Sequence, residues 1–194
     1  MAERGEKIRS GIAASIALKQ QILADDGLQR EVAGIVEASV HCFRSGGKLL
    51  LCGNGGSAAD AQHLAAELSG RYYRDRPPLF AEALHVNTSY LTAVANDYGY
   101  ERVFARLVKA MGRRGDLLFA FSTSGNSPNI LQAISAARKQ DMQVVGFTGR
   151  EGGRMKGQCD WLLRMPSADT PRIQEGHMLL GHMICQLIEE ELFA

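Results

Sequence analysis

Cysteine is scarce, with four in 194 residues, and Cys42, Cys52, Cys159 and Cys185 form no CxxC pair. Each sits inside an apolar run, so the four are expected to be buried, reduced thiols of a cytosolic protein. No apolar run approaches the ~18 residues of a membrane-spanning helix. The charged opening MAERGEKIRS also lacks the apolar stretch of a signal peptide. Excess charge of one sign is missing too: Lys plus Arg is 22 and Asp plus Glu is 21, a net of +1. That balance excludes a broad basic field for a nucleic acid backbone or an anionic membrane, so an anionic ligand must be held locally. Proline numbers only five, with none between residues 6 and 45. Internal repeats, linkers and low-complexity segments are absent. The expectation is a soluble, cytoplasmic chain forming one domain over residues 1–194, a size at which a single core is stable without disulfides or a structural metal.

Glycine, by contrast, is abundant at 21 residues, above the usual ~7%, and much of it clusters beside apolar runs, where tight turns and close backbone approaches use it. Over residues 1–45, Ile8, Ile12 and Ile16, then Val32, Ile35, Val36, Val40 and Phe43, fall at helical spacing. They predict two amphipathic helices broken near Asp25–Gly27. Five short apolar runs follow: Lys48–Gly53, Phe80–Val86, Asp116–Ser122, Gln143–Thr148 and Asp160–Met165. Helical patterns separate them, with a Gly-rich loop before the last, and a final helix spans Pro171 to Phe193. Near-continuous apolar strands alternating with helices predict a parallel sheet covered on both faces. The expected fold is α/β: a three-layer αβα sandwich around a five-stranded parallel sheet, with an N-terminal helical extension. Ligands of such sheets bind outside the carboxyl ends of the strands, and the polar motifs lie there.

The stretch CGNGGSAAD, Cys52 to Asp60, follows the first strand. Its glycines allow a sharp turn into a helix whose exposed amides favour an anion. A plain capping box, Ser57 with Asp60, is the compatible local alternative. Gly53-x-Gly55-x-x-Ala58 loosely fits a dinucleotide fingerprint, but the second strand ends His85-Val86-Asn87 without the acid that fingerprint needs. After the third strand, STSGNSPN places Ser122, Thr123, Ser124 and Ser127 at a helix start with Pro128 in the first helical position. Four hydroxyls with free amides at a positive helix end suit a phosphate without Lys or Arg, better than an ordinary Ser-rich turn does.

His63 and Glu67, at i and i+4, share one helix face, as a divalent-metal pair or as an exposed contact. The segment ADTPRIQEGHMLLGH is expected to open with Thr170 as cap and Pro171 in the first turn; its helix carries Gln174, Glu175, His177 and His182. A lone histidine on an apolar helix is ordinarily a core residue, and His41 and His85 are placed in that class. AVANDYGY, Ala93 to Tyr100, has the form of a helix end capped by Gly99.

Taken together, GKLLLCGNGGSAADAQHLAAELSGRY, NDYGY, GDLLFAFSTSGNSPNIL, GFTGREGG and ADTPRIQEGHMLLGH resemble the phosphoheptose isomerases, a branch of the sugar-isomerase (SIS) phosphosugar-binding domains. The resemblance covers nearly the whole chain, with its motifs in the family's order. It implies a homotetramer interconverting sedoheptulose 7-phosphate and glycero-manno-heptose 7-phosphate, the entry to the heptose of lipopolysaccharide core. It further implies Ser122, Thr123, Ser124 and Ser127 as phosphate cradle, and Asn54, Gly55, Gly56, Asn96, Asp97, Glu67 and Gln174 as substrate contacts. His63, Glu67, Gln174 and His182 would bind one zinc per subunit, with Glu67 and His182 as the acid–base pair. Two rivals are a non-enzymatic regulator, for which a metal quartet has no use, and an isomerase of smaller phosphosugars.

The implied zinc set raises a geometric question. Gln174 and His182 are eight residues apart, about 12 Å along a helix and turned by roughly 80°, whereas donors on one tetrahedral zinc lie ~3.5 Å apart. One of them is therefore expected from a neighbouring subunit, with the helices of residues 1–45 supplying the assembly contacts.

Overall fold

The computed structural model describes residues 2–194. Two helices come first, α1 (Ala2–Leu23) and α2 (Asp26–Arg44). Asp25 separates them by leaving helical geometry and accepting the Leu28 amide at 3.0 Å, the ordinary action of an Asp cap. Five strands follow, β1 (Leu49–Cys52), β2 (Ala81–Ala83), β3 (Leu117–Phe121), β4 (Gln143–Thr148) and β5 (Trp161–Arg164), all parallel and ordered β2-β1-β3-β4-β5. Between them run α3 (Gly56–Ser69), α4 (Thr88–Tyr98), α5 (Val103–Met111) and α6 (Pro128–Arg138), and α7 (Thr170–Leu192) ends the chain.

Alternation along the buried strands assigns the two faces. Leu49, Leu51, Phe119, Phe121 and Phe147 pack with α2, α3 and α7, whereas Leu50, Cys52, Leu118, Ala120 and Val144 pack with α5 and α6. Burial on both faces is why β1 and β3 are apolar at every position.

Three expectations need adjustment. Strand β2 is three residues long, not seven: Leu84 still donates to the Leu51 carbonyl at 2.9 Å, but the chain then turns, Val86 bonding back to Ala83. It is an edge strand, so one side of it has no ladder to extend. Among the described residues of α1, only Leu18 and Ile22 reach the core, while Ile8, Ile12 and Ile16 are 63%, 58% and 52% exposed. Of the four free thiols, Cys159 is only half-buried; burial pushes the Cys42 thiol up to about 11, leaving it protonated.

Strands β2 and β3 flank β1 on opposite sides, so the chain direction across the sheet reverses beside β1. Because Cys52 lies in register with Ala120, the loops leaving β1 and β3 emerge side by side. Such a switch point forms a crevice at the carboxyl ends.

Candidate active site

The loop after β1 enters α3 through Gly55, whose φ of 55° is left-handed and costly for any residue with a Cβ. At Gly56 a Cβ would collide with the Gln174 amide, so the glycine lets α7 lay that side chain on the loop. No side chain caps α3. Ser57 is the second helical residue and buried, so the expected Ser57–Asp60 capping box does not form; the amides of Ser57, Ala58 and Ala59 donate instead to the Asn54 and Gly55 carbonyls. Asp60 is half-buried with an unpartnered Oδ2; burial pushes its carboxyl up to about 6 against the pull of His63.

The loop after β3 opens α6. Ser127 is its N-cap residue, but its hydroxyl turns to the Ser122 hydroxyl at 3.0 Å instead of to a helix amide. Ser124 Oγ accepts the Asn126 amide at 3.1 Å. Among the described residues, the amides of Thr123, Ser124 and Ser127 find no protein acceptor, which suits them to a bound oxyanion. The Gly-rich loop after β4 braces this turn from behind: Gly149 donates to the Thr123 carbonyl at 3.0 Å, Met155 to the Gly125 carbonyl at 3.2 Å, and Arg154 to Asn126 Oδ1 at 3.1 Å.

A reciprocal amide pair joins the two loops. Asn54 Nδ2 donates to Asn129 Oδ1 at 2.9 Å, and Asn129 Nδ2 donates to Asn54 Oδ1 at 2.7 Å. The Tyr100 hydroxyl reaches Asn54 Oδ1 at 3.4 Å.

Next to the glycine loop, α3 and α7 cross closely because Gly181 lies on the Leu64 side chain, where a Cβ would not fit. The crossing sets His182 against His63, with Nε2 atoms 3.0 Å apart, and His63 Nε2 is 3.1 Å from Glu67 Oε1. One ligand atom from each of the three lies within 4.8 Å of the others. Donors bound to one ion at ~2.1 Å stand ~3.5 Å apart, so two nitrogens and a carboxylate oxygen here fit a divalent cation. Burial and the neighbouring His63 push the His182 imidazole down, against Glu67, towards the neutral form that ligates.

The sequence model of the SIS domain family matches residues 12–149. The phosphoheptose isomerase of Burkholderia pseudomallei (strain 1710b) is 52% identical over 186 residues, covering 96% of this chain and 94% of the relative. The chain belongs to the phosphoheptose isomerase family of SIS-domain proteins. The phosphoheptose isomerase of Rhodospirillum rubrum is 57% identical over 162 residues, covering 84% of this chain and 85% of its own. Among solved structures, the phosphoheptose isomerase of Neisseria gonorrhoeae superposes with a TM-score of 0.90 at 44% identity, covering 96% of this chain and 98% of that one.

The structure of this family member brings His63, Glu67 and His182 together within one chain, so the expectation that one of Gln174 and His182 comes from a neighbour falls on Gln174. The eight-residue gap to Gln174 is handled differently: Gln174 lies on the glycine loop at Gly56. Mixing Glu67→Gln protein with His182→Ala protein under subunit exchange is therefore expected to restore no activity, because no chain in the mixture carries both residues. Recovered turnover in the exchanged mixture would show that the two act across chains.

Asn96 and Asp97, on the last turn of α4, hydrogen-bond each other at 2.9 Å; among the described residues neither bonds to the glycine loop or the serine turn. Asp169 is the N-cap residue of α7, with Thr170 already helical, one residue before the expected cap. His177 is a core residue: its Nε2 donates to the Thr148 carbonyl at 3.2 Å between Phe121 and Phe147, and burial pushes its imidazole down to about 4. His41 is exposed and His85 half-buried against Gln62, so neither is the core histidine expected of it.

Sequence reasoning assigned no role to Asn129, Gly181 or the buried Arg76–Glu189 pair. Asn129 was legible only as part of STSGNSPN and Gly181 only as part of ADTPRIQEGHMLLGH; Arg76 and Glu189 carry no local signal.

Proposed function

We propose that this chain interconverts sedoheptulose 7-phosphate and a glycero-manno-heptose 7-phosphate, an aldose–ketose isomerisation at the entry to lipopolysaccharide heptose. The observation that carries the reading is the convergence of His63, Glu67 and His182 at the helix that leaves the glycine loop, a loop tied through Asn54 and Asn129 to the helix of an uncharged serine turn, in a chain half identical to phosphoheptose isomerases.

In this reading the phosphate lies on Ser122, Thr123, Ser124 and Ser127 and the free amides entering α6, where the helix end favours an anion. The Gly55–Gly56 loop, Asn54, Asn96 and Asp97 contact the sugar. Isomerisation moves a proton between C1 and C2 through an ene-diol and needs a base within reach of that carbon. Glu67 takes and returns the carbon-bound proton, and His182 moves the proton at the oxygen. Zn²⁺ held by His63, Glu67, Gln174 and His182, one per subunit, would supply Lewis-acid stabilisation of the developing oxyanion.

The enzyme is further proposed to be a cytoplasmic homotetramer of single-domain subunits with sites at subunit interfaces. Support comes from the exposed Ile8, Ile12 and Ile16 on α1, an apolar stripe that a second copy would cover. No helix among the described residues is long and apolar enough to cross a membrane.

The decisive experiment incubates purified protein with sedoheptulose 7-phosphate and follows aldose formation. Activity is expected, lost on stripping with a chelator and restored by zinc; full activity in verified metal-free protein would remove the metal from the mechanism. Ser124→Ala is expected to raise KM about 10- to 100-fold, since a hydrogen bond to a charged group contributes roughly 1.5–3 kcal/mol. An unchanged KM would place the phosphate elsewhere.

A further inference from the structure

We infer that Asn129 is a positioning residue for this reaction, acting through Asn54 to hold the glycine loop at one geometry relative to the serine turn. The inference deepens the phosphosugar reading and rests on it. Asn129 is 3% exposed, and its Oδ1 serves both Asn54 Nδ2 and the Ile130 amide, the latter at 3.0 Å. Its side chain is turned to Asn54 and to the first turn of its own helix.

Asn54 is committed almost as fully. Its Oδ1 takes Asn129 Nδ2 and the Tyr100 hydroxyl, and one Nδ2 hydrogen goes to Asn129. A carbonyl oxygen has two lone pairs and an amide nitrogen two hydrogens, so a single Nδ2 hydrogen is left on this side chain. Asn54 therefore meets the sugar through that hydrogen and its backbone, while the rest of the amide is a strut.

The strut has a unique place. Among the described residues, no other hydrogen bond joins residues 53–60 to residues 122–131. One end is the second residue of α6, which carries the serine turn; the other accepts the Ser57 amide at 3.0 Å through its carbonyl, in the first turn of α3. That helix carries His63 and Glu67. The pair therefore links the phosphate end of the site to the reacting end, and a slip between them misplaces C1 and C2 against Glu67 while leaving the phosphate seated.

A residue that only caps α6 through the Ile130 amide would act independently of Asn54. The two roles separate in a double-mutant cycle of Asn129→Ala, Asn54→Ala and the double variant, each with its Tm. Asn129→Ala is expected to lower kcat about 10-fold, two neutral hydrogen bonds at a factor of roughly 3 each. Inhibition by inorganic phosphate should stay within about 2-fold, the double variant should fall no further than the weaker single one, and Asn129→Ser, too short to reach Asn54, should repeat the loss if the alanine variant does not fold. Losses that multiply in the double variant, or kcat unchanged while only Tm falls, would overturn the inference. Hydrogen exchange of the 53–60 segment supplies a readout independent of turnover. Exchange faster by one common factor in all three variants supports the strut, and exchange unchanged in Asn129→Ala overturns it. A wild-type chain that fails to isomerise sedoheptulose 7-phosphate overturns the proposed function, and the exchange data then decide the strut alone.

Discussion

Glu67→Gln is expected to leave a folded protein whose turnover has dropped about 10³-fold, within the range that a positioned acid or base contributes. The substitution keeps the shape of the side chain and removes its charge. Helix α3 should hold, because its carbonyls at Glu67 and Leu68 are tied by Arg76 at 2.9 and 2.7 Å and not by the Glu67 carboxylate. What is lost is the negative charge beside His63, and with it the proton acceptor and the anionic ligand. Measuring zinc affinity with kcat tells these apart: zinc retained with turnover gone makes Glu67 chiefly the base, and zinc lost makes it chiefly a ligand. A Glu67→Gln enzyme within a few-fold of wild-type kcat would remove Glu67 from both roles.

The largest effect on stability is expected at Arg76. Its side chain and that of Glu189 are both 2% exposed, with Nε and Oε2 3.0 Å apart. Glu189 also accepts the amides of Tyr72, Tyr73 and Arg74 at 3.1, 2.8 and 2.8 Å. Burial alone would raise this carboxyl, but the three amides and the guanidinium outweigh it and hold it below its usual value of 4.5. Arg76→Ala removes one partner and leaves a buried charge, at a cost of about 3–5 kcal/mol. At roughly 2–4 °C per kcal/mol for a chain of this length, Tm should fall by about 6–20 °C. Because the folded carboxyl lies below the unfolded one, its contribution is fully present above pH ~4.5 and is lost as pH falls through the folded value. Glu189→Gln should flatten that part of the acid limb of a Tm-against-pH curve. An unchanged Tm in Arg76→Ala would show that the pair carries no such load. Arg76, in the loop after α3, ties the last carbonyls of that helix to Glu189 on α7, so loss of metal affinity should accompany loss of stability.

The local sequence determined the five strands, the two N-terminal helices and the loops that bear the chemistry. Leu49–Cys52 and Leu117–Phe121 are apolar at every position because a parallel sheet buries both faces. Asp25 and Pro128 mark helix starts through the geometry of their own few residues. Capping details were less legible: Ser57 and Thr170 have the right chemistry for a cap, but the chain enters each helix one or two residues earlier. Only the tertiary structure decided which distant groups meet. Asn54 and Asn129 are 75 residues apart, Arg76 and Glu189 113, and His63 and His182 119. The first pairing depends on β1 and β3 being neighbours, the other two on α3 and α7 packing on one face of the sheet. Hydrophobic periodicity states which side of an element is buried but not what lies opposite it. Strand order and helix crossing settle that, and here Gly181, by letting α7 close on Leu64, brings His182 to His63.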